Sequence, residues 1–332
     1  MKPHRHVAAR TGLALAGFIA SQAGAETLRE AQKVDLDVKV RGLAFSPDGK
    51  TLAGAASDGT VRLWDPGTGA LRRAFKSHEG RIGDVSYSGD GATIATCCGE
   101  DKTVRLWSAR TNAPIRSVEG VGAGAALSPD GRTVAGGVDD RTAGLWDAAT
   151  GRRLFTFREP VGEIMTAAFA PDGATLAIAS SDAEVRFWNT RTGVLDHTLP
   201  GLLLATFAVT YSRDGRRLAI GSTDGTISLW NERTRARERT LGQPAGSSVD
   251  RLAFSPDGRL LAASRSDTAT PSNHEQLELW DVGSGELWQT LTPHEGGIYA
   301  VVFSPDGRTL VTSGTDQVLR FWRVGTLAPA AR

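Results

Sequence analysis

The chain has 332 residues, of which 40% are hydrophobic and 23% charged, a composition typical of a well-packed soluble protein. Its 38 lysines and arginines nearly balance its 37 acidic residues, so it lacks the general basic field that would hold nucleic acid or an anionic membrane. Two cysteines are too few for a disulfide framework or a four-thiolate zinc site, while 39 glycines, 14 prolines and 8 tryptophans indicate many turns around a recurring aromatic position.

The first 25 residues have the pattern of a secretory signal peptide. Three basic residues precede an apolar run from residue 12 to residue 20, and Ala23-Gly24-Ala25 follows. This order of a basic start, a short apolar segment and a small-residue cleavage site predicts removal of residues 1–25. The apolar run is much shorter than the ~20 residues that a bilayer-crossing helix needs. We therefore expect a periplasmic bacterial protein, with secretion as the second choice, and no membrane segment in the mature chain.

The first repeated unit predicts a four-stranded antiparallel sheet. In Ser46-Pro47-Asp48-Gly49 the proline presets φ for a type I turn and the glycine accepts the left-handed conformation that closes it, so the flanking residues form a hairpin. The small and apolar residues from Leu52 to Ala56 lead to a second turn at Asp58-Gly59. Residues 61–64 and 70–75 supply the third and fourth strands.

This unit recurs seven times along the chain. The spacing from the turn aspartate to a later tryptophan is 16 residues in five units, 17 in the second and 23 in the sixth. The turns lie at 46–49, 88–91, 128–131, 170–173, 212–215, 255–258 and 304–307, and the tryptophans are Trp64, Trp107, Trp146, Trp188, Trp230, Trp280 and Trp322. One four-stranded sheet cannot bury both of its faces, but seven sheets packed face to face in a ring can. We therefore predict an all-β, seven-bladed β-propeller.

The second unit carries the adjacent cysteines Cys97 and Cys98 where corresponding strands have alanine or glycine. Adjacent α-carbons lie about 3.8 Å apart across a trans peptide, below the usual disulfide range, so a bond between these residues would be strained. We interpret both cysteines as small buried residues, in preference to a redox or metal-binding pair.

The fifth unit has arginines at every second position near an outer strand. Alternation in a strand places all four on one side of the sheet. We interpret them as protection of an edge strand against aggregation, in preference to a nucleic-acid patch. They are Arg233, Arg235, Arg237 and Arg239.

The sixth unit has seven extra residues between Leu261 and Leu277. Loops on a rigid scaffold tolerate insertion and often carry recognition residues. We therefore treat this polar loop as a partner-binding candidate, with sequence drift as the alternative. The candidate residues are Arg265, Asp267, Asn273, His274 and Glu275. Trp288, on the fourth strand of the same unit, is expected to pack between blades, with an exposed anchor as the alternative.

The two ends of the chain predict how the ring closes. After Trp322 only ten residues remain, too few and too irregular for the fourth strand of the seventh unit. Counting back 15 residues from the turn aspartate of the second unit reaches the end of a fourth strand at Phe75, and the same count from Asp48 reaches Lys33. Residues 27–34 are therefore predicted to form the missing outer strand of the last blade.

Residues 26–332 resemble the WD-repeat family, and the export signal marks an exported bacterial member. The resemblance rests on the seven units, on Leu/Phe-Trp-Asp/Asn endings and on an aspartate six residues before the tryptophan in six units. It implies a network in which a histidine at the start of a repeat bonds the turn aspartate and reaches the tryptophan. The matching sets are His78 with Asp101 and Trp107, and His294 with Asp316 and Trp322. Both histidines are expected to be structural.

The resemblance implies a non-catalytic scaffold that binds one or more periplasmic proteins. Binding is expected on the rim and on the top face, where the 4–1 connections and the 2–3 turns of the blades lie. The sequence shows no regularly spaced catalytic set and no cofactor or metal motif, so we expect a monomeric ring without enzyme activity or cofactor. A small-ligand or glycan sensor is the alternative, and an enzyme or cofactor-binding propeller has less support.

Overall fold

The computed structural model describes residues 28–122, 124–139, 141–158, 163–199, 205–244, 247–267 and 275–325. The predicted signal peptide and the candidate residues Asn273 and His274 lie outside these ranges.

The described residues form strands and turns, and no apolar helix of bilayer-spanning length occurs among them. The strands are β1 (Leu28–Asp35), β2 (Val40–Phe45), β3 (Leu52–Ala56), β4 (Thr60–Trp64), β5 (Leu71–Lys76), β6 (Asp84–Tyr87), β7 (Thr93–Cys98), β8 (Thr103–Ser108), β9 (Pro114–Glu119), β10 (Ala126–Leu127), β11 (Thr133–Asp139), β12 (Thr142–Asp147), β13 (Arg153–Phe157), β14 (Ile164–Phe169), β15 (Thr175–Ser180), β16 (Val185–Asn189), β17 (Leu195–Leu199), β18 (Thr206–Tyr211), β19 (Arg217–Ser222), β20 (Ile227–Asn231), β21 (Ala236–Leu241), β22 (Ser247–Phe254), β23 (Leu260–Asp267), β24 (Gln276–Asp281), β25 (Leu287–Leu291), β26 (Ile298–Phe303), β27 (Thr309–Gly314) and β28 (Val318–Val324).

These strands form seven four-stranded antiparallel sheets. The first blade has the order β2-β3-β4-β5, and the next five blades repeat this sequential order through β25. The inner strands contact one another in a closed circuit, in which β2 meets both β6 of the second blade and β26 of the last. The predicted seven-bladed propeller is therefore confirmed.

The first and last segments of the chain share one blade. Strand β1 pairs with β28 in an antiparallel register that runs from Leu28 opposite Val324 to Asp35 opposite Val318. Leu28 is 3% exposed, and its N–H donates a 2.8 Å hydrogen bond to Gln289 Oε1 of the sixth blade. The closing strand predicted at 27–34 is thus present, one residue further along the chain.

The Ser-Pro-Asp-Gly turns close as their residue types require. Gly49 has a φ of +72°, and its N–H donates to the Ser46 carbonyl at 2.8 Å. The Ser46 hydroxyl donates to Asp48 Oδ1 at 2.6 Å, and the Asp48 carboxylate accepts the Lys50 N–H at 3.1 Å. The corresponding glycine N–H closes the same turn in each of the other six blades, at 2.8 or 2.9 Å.

The hydrophobic core lies between neighbouring blades. Trp64, 1% exposed, packs in a cluster that includes Val40 and Leu52 of the first blade together with Val311 and Phe321 of the seventh. Equivalent clusters join the other blades around the ring. Because each sheet contributes apolar side chains to both neighbours, the blades stabilise one another and hold the connecting loops in place.

Candidate binding face

The 4–1 connections and the 2–3 turns lie on the same face of the ring, which we call the top face. In the first blade the Gly59 carbonyl, in the turn between β3 and β4, accepts the N–H groups of Ser77 and His78 at 2.9 and 3.1 Å. In the second blade the Lys102 carbonyl accepts the Val121 N–H at 2.9 Å. These bonds tie each connection to the turn beside it, as the face assignment from the sequence requires.

A central channel of about 700 Å³ is lined by residues of all seven blades, most of them in the inner strands or directly before them. Its wall combines small and apolar residues with polar and charged ones, and Ala208 and Ala300 are among its buried residues. The charged residues of the wall come from three blades, the first, second and sixth. They are Arg41, Arg81, Asp84, Glu100, Asp250 and Arg251.

Arg41, Arg251 and Tyr299 form what we call the channel-mouth cluster. The Arg41 guanidinium carbon lies 4.7 Å from the centroid of the Tyr299 ring, a cation–π arrangement. The Arg251 Nε donates a 2.7 Å hydrogen bond to the Tyr299 carbonyl, and one terminal nitrogen donates to the Asp250 carbonyl at 2.8 Å. Residues of the first, sixth and seventh blades are therefore held together in one pre-ordered patch.

Asp84 projects into the same channel from the second blade. Gly42 makes room for it, because a Cβ at Gly42 would stand 2.4 Å from Asp84 Oδ1. Asp84 is exposed to the channel, but the surrounding wall partly desolvates its carboxyl and raises its pKa, while the Val85 N–H and the positive charge of Arg251 oppose that rise. Burial, together with the negative charge of Asp84, raises the pKa of the neighbouring Cys97 thiol to about 12. Cys97 is therefore a protonated thiol at neutral pH and a poor nucleophile.

The two adjacent cysteines lie in different surroundings. Cys98 is buried, as the sequence predicted, whereas Cys97 is only half-buried and reaches the channel wall. Both thiols are free.

The second and seventh blades each contain a histidine network. His78 lies 2.9 Å from Asp101 Oδ2 through Nδ1 and 2.9 Å from the Thr96 hydroxyl through Nε2. Trp107 Nε1 donates to the same hydroxyl at 3.1 Å, so Thr96 links histidine to tryptophan. Burial opposes ionisation of Asp101, but hydrogen bonds from His78 and Thr103 outweigh it and lower the pKa of that carboxyl.

The network of the seventh blade has the same distances. His294 lies 2.9 Å from Asp316 Oδ1 and 2.9 Å from the Thr312 hydroxyl, which accepts from Trp322 Nε1 at 3.1 Å. Burial lowers the pKa of His294, although the Asp316 carboxylate partly offsets this effect. Both histidines are fully buried and tie a 4–1 connection to the sheet.

The sixth blade satisfies its tryptophan in another way. Trp280 Nε1 donates to Glu278 Oε2 at 3.0 Å, and Glu278 forms a 3.0 Å ion pair with Arg265. Arg265 is 9% exposed and lies in β23, so its side chain takes part in the packing of the blade. A role of Arg265 in partner binding stays a prediction.

The other candidates of the sixth-unit insertion are placed as follows. Asp267 is the last residue of β23, opposite Ser247 in the register of β22. Glu275 is half-buried, and its Oε2 accepts the Ile298 N–H at 2.7 Å. Burial raises the pKa of Glu275, which is tied to the seventh blade and therefore to the fold. Binding by Asn273 and His274 stays a prediction, since both lie outside the described residues.

The fifth-blade arginines join neighbouring outer strands. Arg235 forms a 2.6 Å ion pair with Asp196 of the fourth blade, and Arg239 donates to the Gly283 carbonyl of the sixth blade at 3.1 Å. Two of the four arginine side chains are thus engaged with adjacent blades. Trp288 is half-buried against the core between the sixth and seventh blades, the packing that the sequence favoured.

Sequence reasoning missed the channel-mouth cluster. Its signal is its position, because the described residues four and five places before the Ser-Pro-Asp-Gly turns face the channel. Arg41, Asp84, Asp250 and Arg251 occupy these places in three units. Alignment of the seven units on their turns would have found these charges.

Comparison with known proteins identifies the repeated unit. The family described as "WD domain, G-beta repeat" matches residues 35–65, 69–108, 151–189, 197–231, 237–269 and 285–323. These segments cover more than half of the chain.

Three similar proteins match the chain in part. Nuclear distribution protein PAC1 of Gibberella zeae is 31% identical over 129 residues, which are 35% of this chain and 28% of that protein. SIR4-interacting protein SIF2 of Saccharomyces cerevisiae is 34% identical over 108 residues, 32% of this chain and 20% of that protein. Apoptotic protease-activating factor 1 of Rattus norvegicus is 32% identical over 100 residues, 29% of this chain and 8% of that protein. The matched part therefore spans less than a third of each relative.

Proposed function

Because the chain belongs to the WD-repeat family, we propose that it is a non-catalytic scaffold that binds other proteins through the top face of its ring. The name of one similar protein, SIR4-interacting protein SIF2, describes an interaction with another protein, which supports this class of function. What kind of partner this chain binds is proposed below from the residues of its top face.

The channel-mouth cluster is the observation that carries this proposal. Arginine and tyrosine are enriched among the residues that dominate binding energy, particularly where they stand in an ordered patch with a polar rim. Tyr299 holds the Arg41 guanidinium over its ring, and its backbone carbonyl accepts from Arg251 Nε. Because these side chains are already ordered, binding would immobilise few additional rotamers.

The charges around the mouth define the chemistry of the partner. Arg81 is paired with Glu100 at 3.1 Å and forms part of the rim. The guanidinium of Arg251 is exposed and has donors left after its two carbonyl contacts. We propose that it receives carboxylate or carbonyl oxygens of an extended protein segment that enters the channel mouth.

We further propose that the protein is bacterial and exported, and that its partners are periplasmic proteins. The support is the basic, apolar and small-residue order of residues 1–25. Mass spectrometry of the protein isolated from the periplasmic fraction tests this proposal. The expected N-terminal residue is Glu26, and an intact N-terminus in the cytoplasmic fraction would contradict it.

Site-specific photo-cross-linking tests the binding face. A photoreactive amino acid is placed at Tyr299 and, as a matched control, at Arg213, an exposed residue of a Ser-Pro-Asp-Gly-type turn on the opposite face. We expect a discrete protein adduct from position 299 and none from position 213. Equal labelling from both positions, or labelling from position 213 alone, would overturn the assignment of the top face.

A further inference from the structure

We propose a site for a zinc-like divalent transition metal on the top face of the second blade, with Cys98, His78 and Asp101 as its ligands. Among the described residues, this is the group of histidine, cysteine and acidic side chains whose ligand atoms converge, all within 4.8 Å of one another. The site is separate from the channel-mouth cluster and does not rest on the proposed protein-binding function.

Three elements bring the ligands together. His78 lies in the connection after β5, Cys98 ends β7, and Asp101 lies in the turn between β7 and β8. The His78 and Cys98 side chains are buried, while the Asp101 side chain is 31% exposed. A Cβ at Gly99 would meet no atom within 4 Å, so the turn is open on its solvent side. An ion can therefore reach the site past Asp101 and meet two desolvated donors.

The donor set suits zinc. Zinc takes thiolate, imidazole and carboxylate ligands in a tetrahedral arrangement, at about 2.0–2.3 Å. His78 Nδ1 and Asp101 Oδ2 are 2.9 Å apart, a hydrogen-bond distance that a small side-chain shift would open to the roughly 3.3 Å between two donors on a tetrahedral ion. Cys98 supplies the sulfur as a free thiol, so metal binding requires no disulfide to be broken.

Thr96 is in place to orient the histidine. Its hydroxyl lies 2.9 Å from His78 Nε2, and a histidine ligand is usually held by a hydrogen bond at its second ring nitrogen. With metal on Nδ1, the ring proton resides on Nε2 and is donated to Thr96 Oγ1. The number of protons on His78 is then unchanged between the neutral ring and the metal-bound ring. One proton, from the Cys98 thiol, is released to solvent.

Gly80 forms a cradle beside the sulfur. A Cβ at Gly80 would stand 3.3 Å from Cys98 Sγ and 2.6 Å from Glu100 Oε2, so a side chain there would displace one of them. Because Gly80 has no side chain, a water molecule has room beside the sulfur to take the fourth position of a tetrahedral ion. Glu100 stays paired with Arg81 at 3.1 Å.

The seventh blade is an internal comparison that lacks the sulfur. Its equivalent of Cys98 is Gly314, and a Cβ there would stand 2.4 Å from the His294 ring. The second unit has one more residue between its turn aspartate and its tryptophan than the seventh unit has. The extra turn residue and the thiol therefore occur together, while the histidine contacts keep the same lengths in both blades. Only the second blade has a cysteine thiol at this position, together with enough space beside the histidine to hold it.

Cobalt titration tests the site, because a thiolate bound to Co²⁺ absorbs in the near ultraviolet. Metal-free protein is titrated with CoCl₂, and ZnCl₂ is then added. We expect a charge-transfer band that saturates at one cobalt per chain and disappears when zinc displaces the cobalt. Cys98→Ala should abolish the band, whereas the matched control Cys97→Ala should retain it. Alanine occurs at the corresponding positions of the first blade, Ala55 and Ala56, so both variants are expected to fold.

A second measurement uses the unmodified chain. Alkylation with iodoacetamide followed by peptide mass spectrometry gives the labelling rate of each cysteine in partly denaturing urea, with and without ZnCl₂. We expect zinc to slow the labelling of Cys98 about tenfold or more. Zinc would bind the folded protein in preference to the unfolded chain and would therefore lower the fraction of molecules in which Cys98 is accessible. Absence of a thiolate–cobalt band in the unmodified protein, its persistence in Cys98→Ala, or equal labelling with and without zinc would overturn the proposal.

Discussion

The tryptophans of different blades are equally buried but differently bonded, and this difference predicts unequal effects of one substitution. Trp322 is 6% exposed and donates to Thr312, whereas Trp230 is 7% exposed and its Nε1 has no acceptor among the described residues. Replacement by phenylalanine removes the same ring atoms at both sites. It breaks a hydrogen bond in the seventh blade, but it removes an unsatisfied buried donor in the fifth.

The difference in stability between the two variants follows from the hydrogen bond that Trp322 makes and Trp230 lacks. A typical hydrogen bond contributes about 0.5–1.5 kcal/mol to stability, and an unsatisfied buried group costs about 1–3 kcal/mol. We therefore expect Trp322→Phe to lower the free energy of unfolding by about 1.5–4.5 kcal/mol more than Trp230→Phe does. Urea denaturation followed by far-ultraviolet circular dichroism measures both variants against the unmodified protein. Equal losses, or a larger loss for Trp230→Phe, would refute the reasoning.

Three further predictions concern the sixth blade, the seventh blade and the channel mouth. Arg265→Ala leaves Glu278 buried without its cation, so we expect it to lower the free energy of unfolding by about 3–5 kcal/mol, measured by urea titration. A smaller loss than that of a control substitution at an exposed arginine would contradict the ion-pair assignment. Burial lowers the pKa of His294 from 6.5, so its contribution to stability is present above pH 6.5 and is lost as the pH falls toward the lower pKa of the folded state. Melting temperatures between pH 7 and pH 5 should therefore fall less in His294→Gln, and parallel curves would exclude this effect. Arg251→Ala should weaken partner binding about tenfold or more with only a small decrease in melting temperature, because the guanidinium is exposed and its lost hydrogen bonds cost little. Unchanged binding would remove Arg251 from the site.

The repeated turns and tryptophans were sufficient to predict the blades. The local chemistry of Ser46 to Gly49 specifies a hairpin, and its regular recurrence specifies a ring. The closing strand was placed within one residue, because the count from turn to strand end is set by the blade itself. These features depend on short-range contacts that recur in every unit.

Features that depend on contacts between units were harder to predict. Arg265 looks like a loop residue in the sequence, but Glu278, across the sheet, makes it a buried partner. The channel-mouth cluster joins Arg41 to Tyr299, which are 258 positions apart and meet only because the ring closes. Cys98 matches the small residues of other blades, and only its approach to His78 and Asp101 distinguishes it from a filler residue.

The pairing of the two chain ends is tested most directly by a disulfide across it. Arg29 lies opposite Arg323 in the register of β1 and β28, and opposed side chains of antiparallel strands have Cβ atoms about 4.5–5.5 Å apart, within reach of a disulfide after a small adjustment. In a background with Cys97→Ala and Cys98→Ala, Arg29→Cys with Arg323→Cys should yield a cross-linked peptide in mass spectrometry after mild oxidation. Arg29→Cys with Lys76→Cys, on the outer strand of the first blade, should not. Absence of the first cross-link, or its formation with residue 76 instead, would contradict a ring closed by its N-terminal strand.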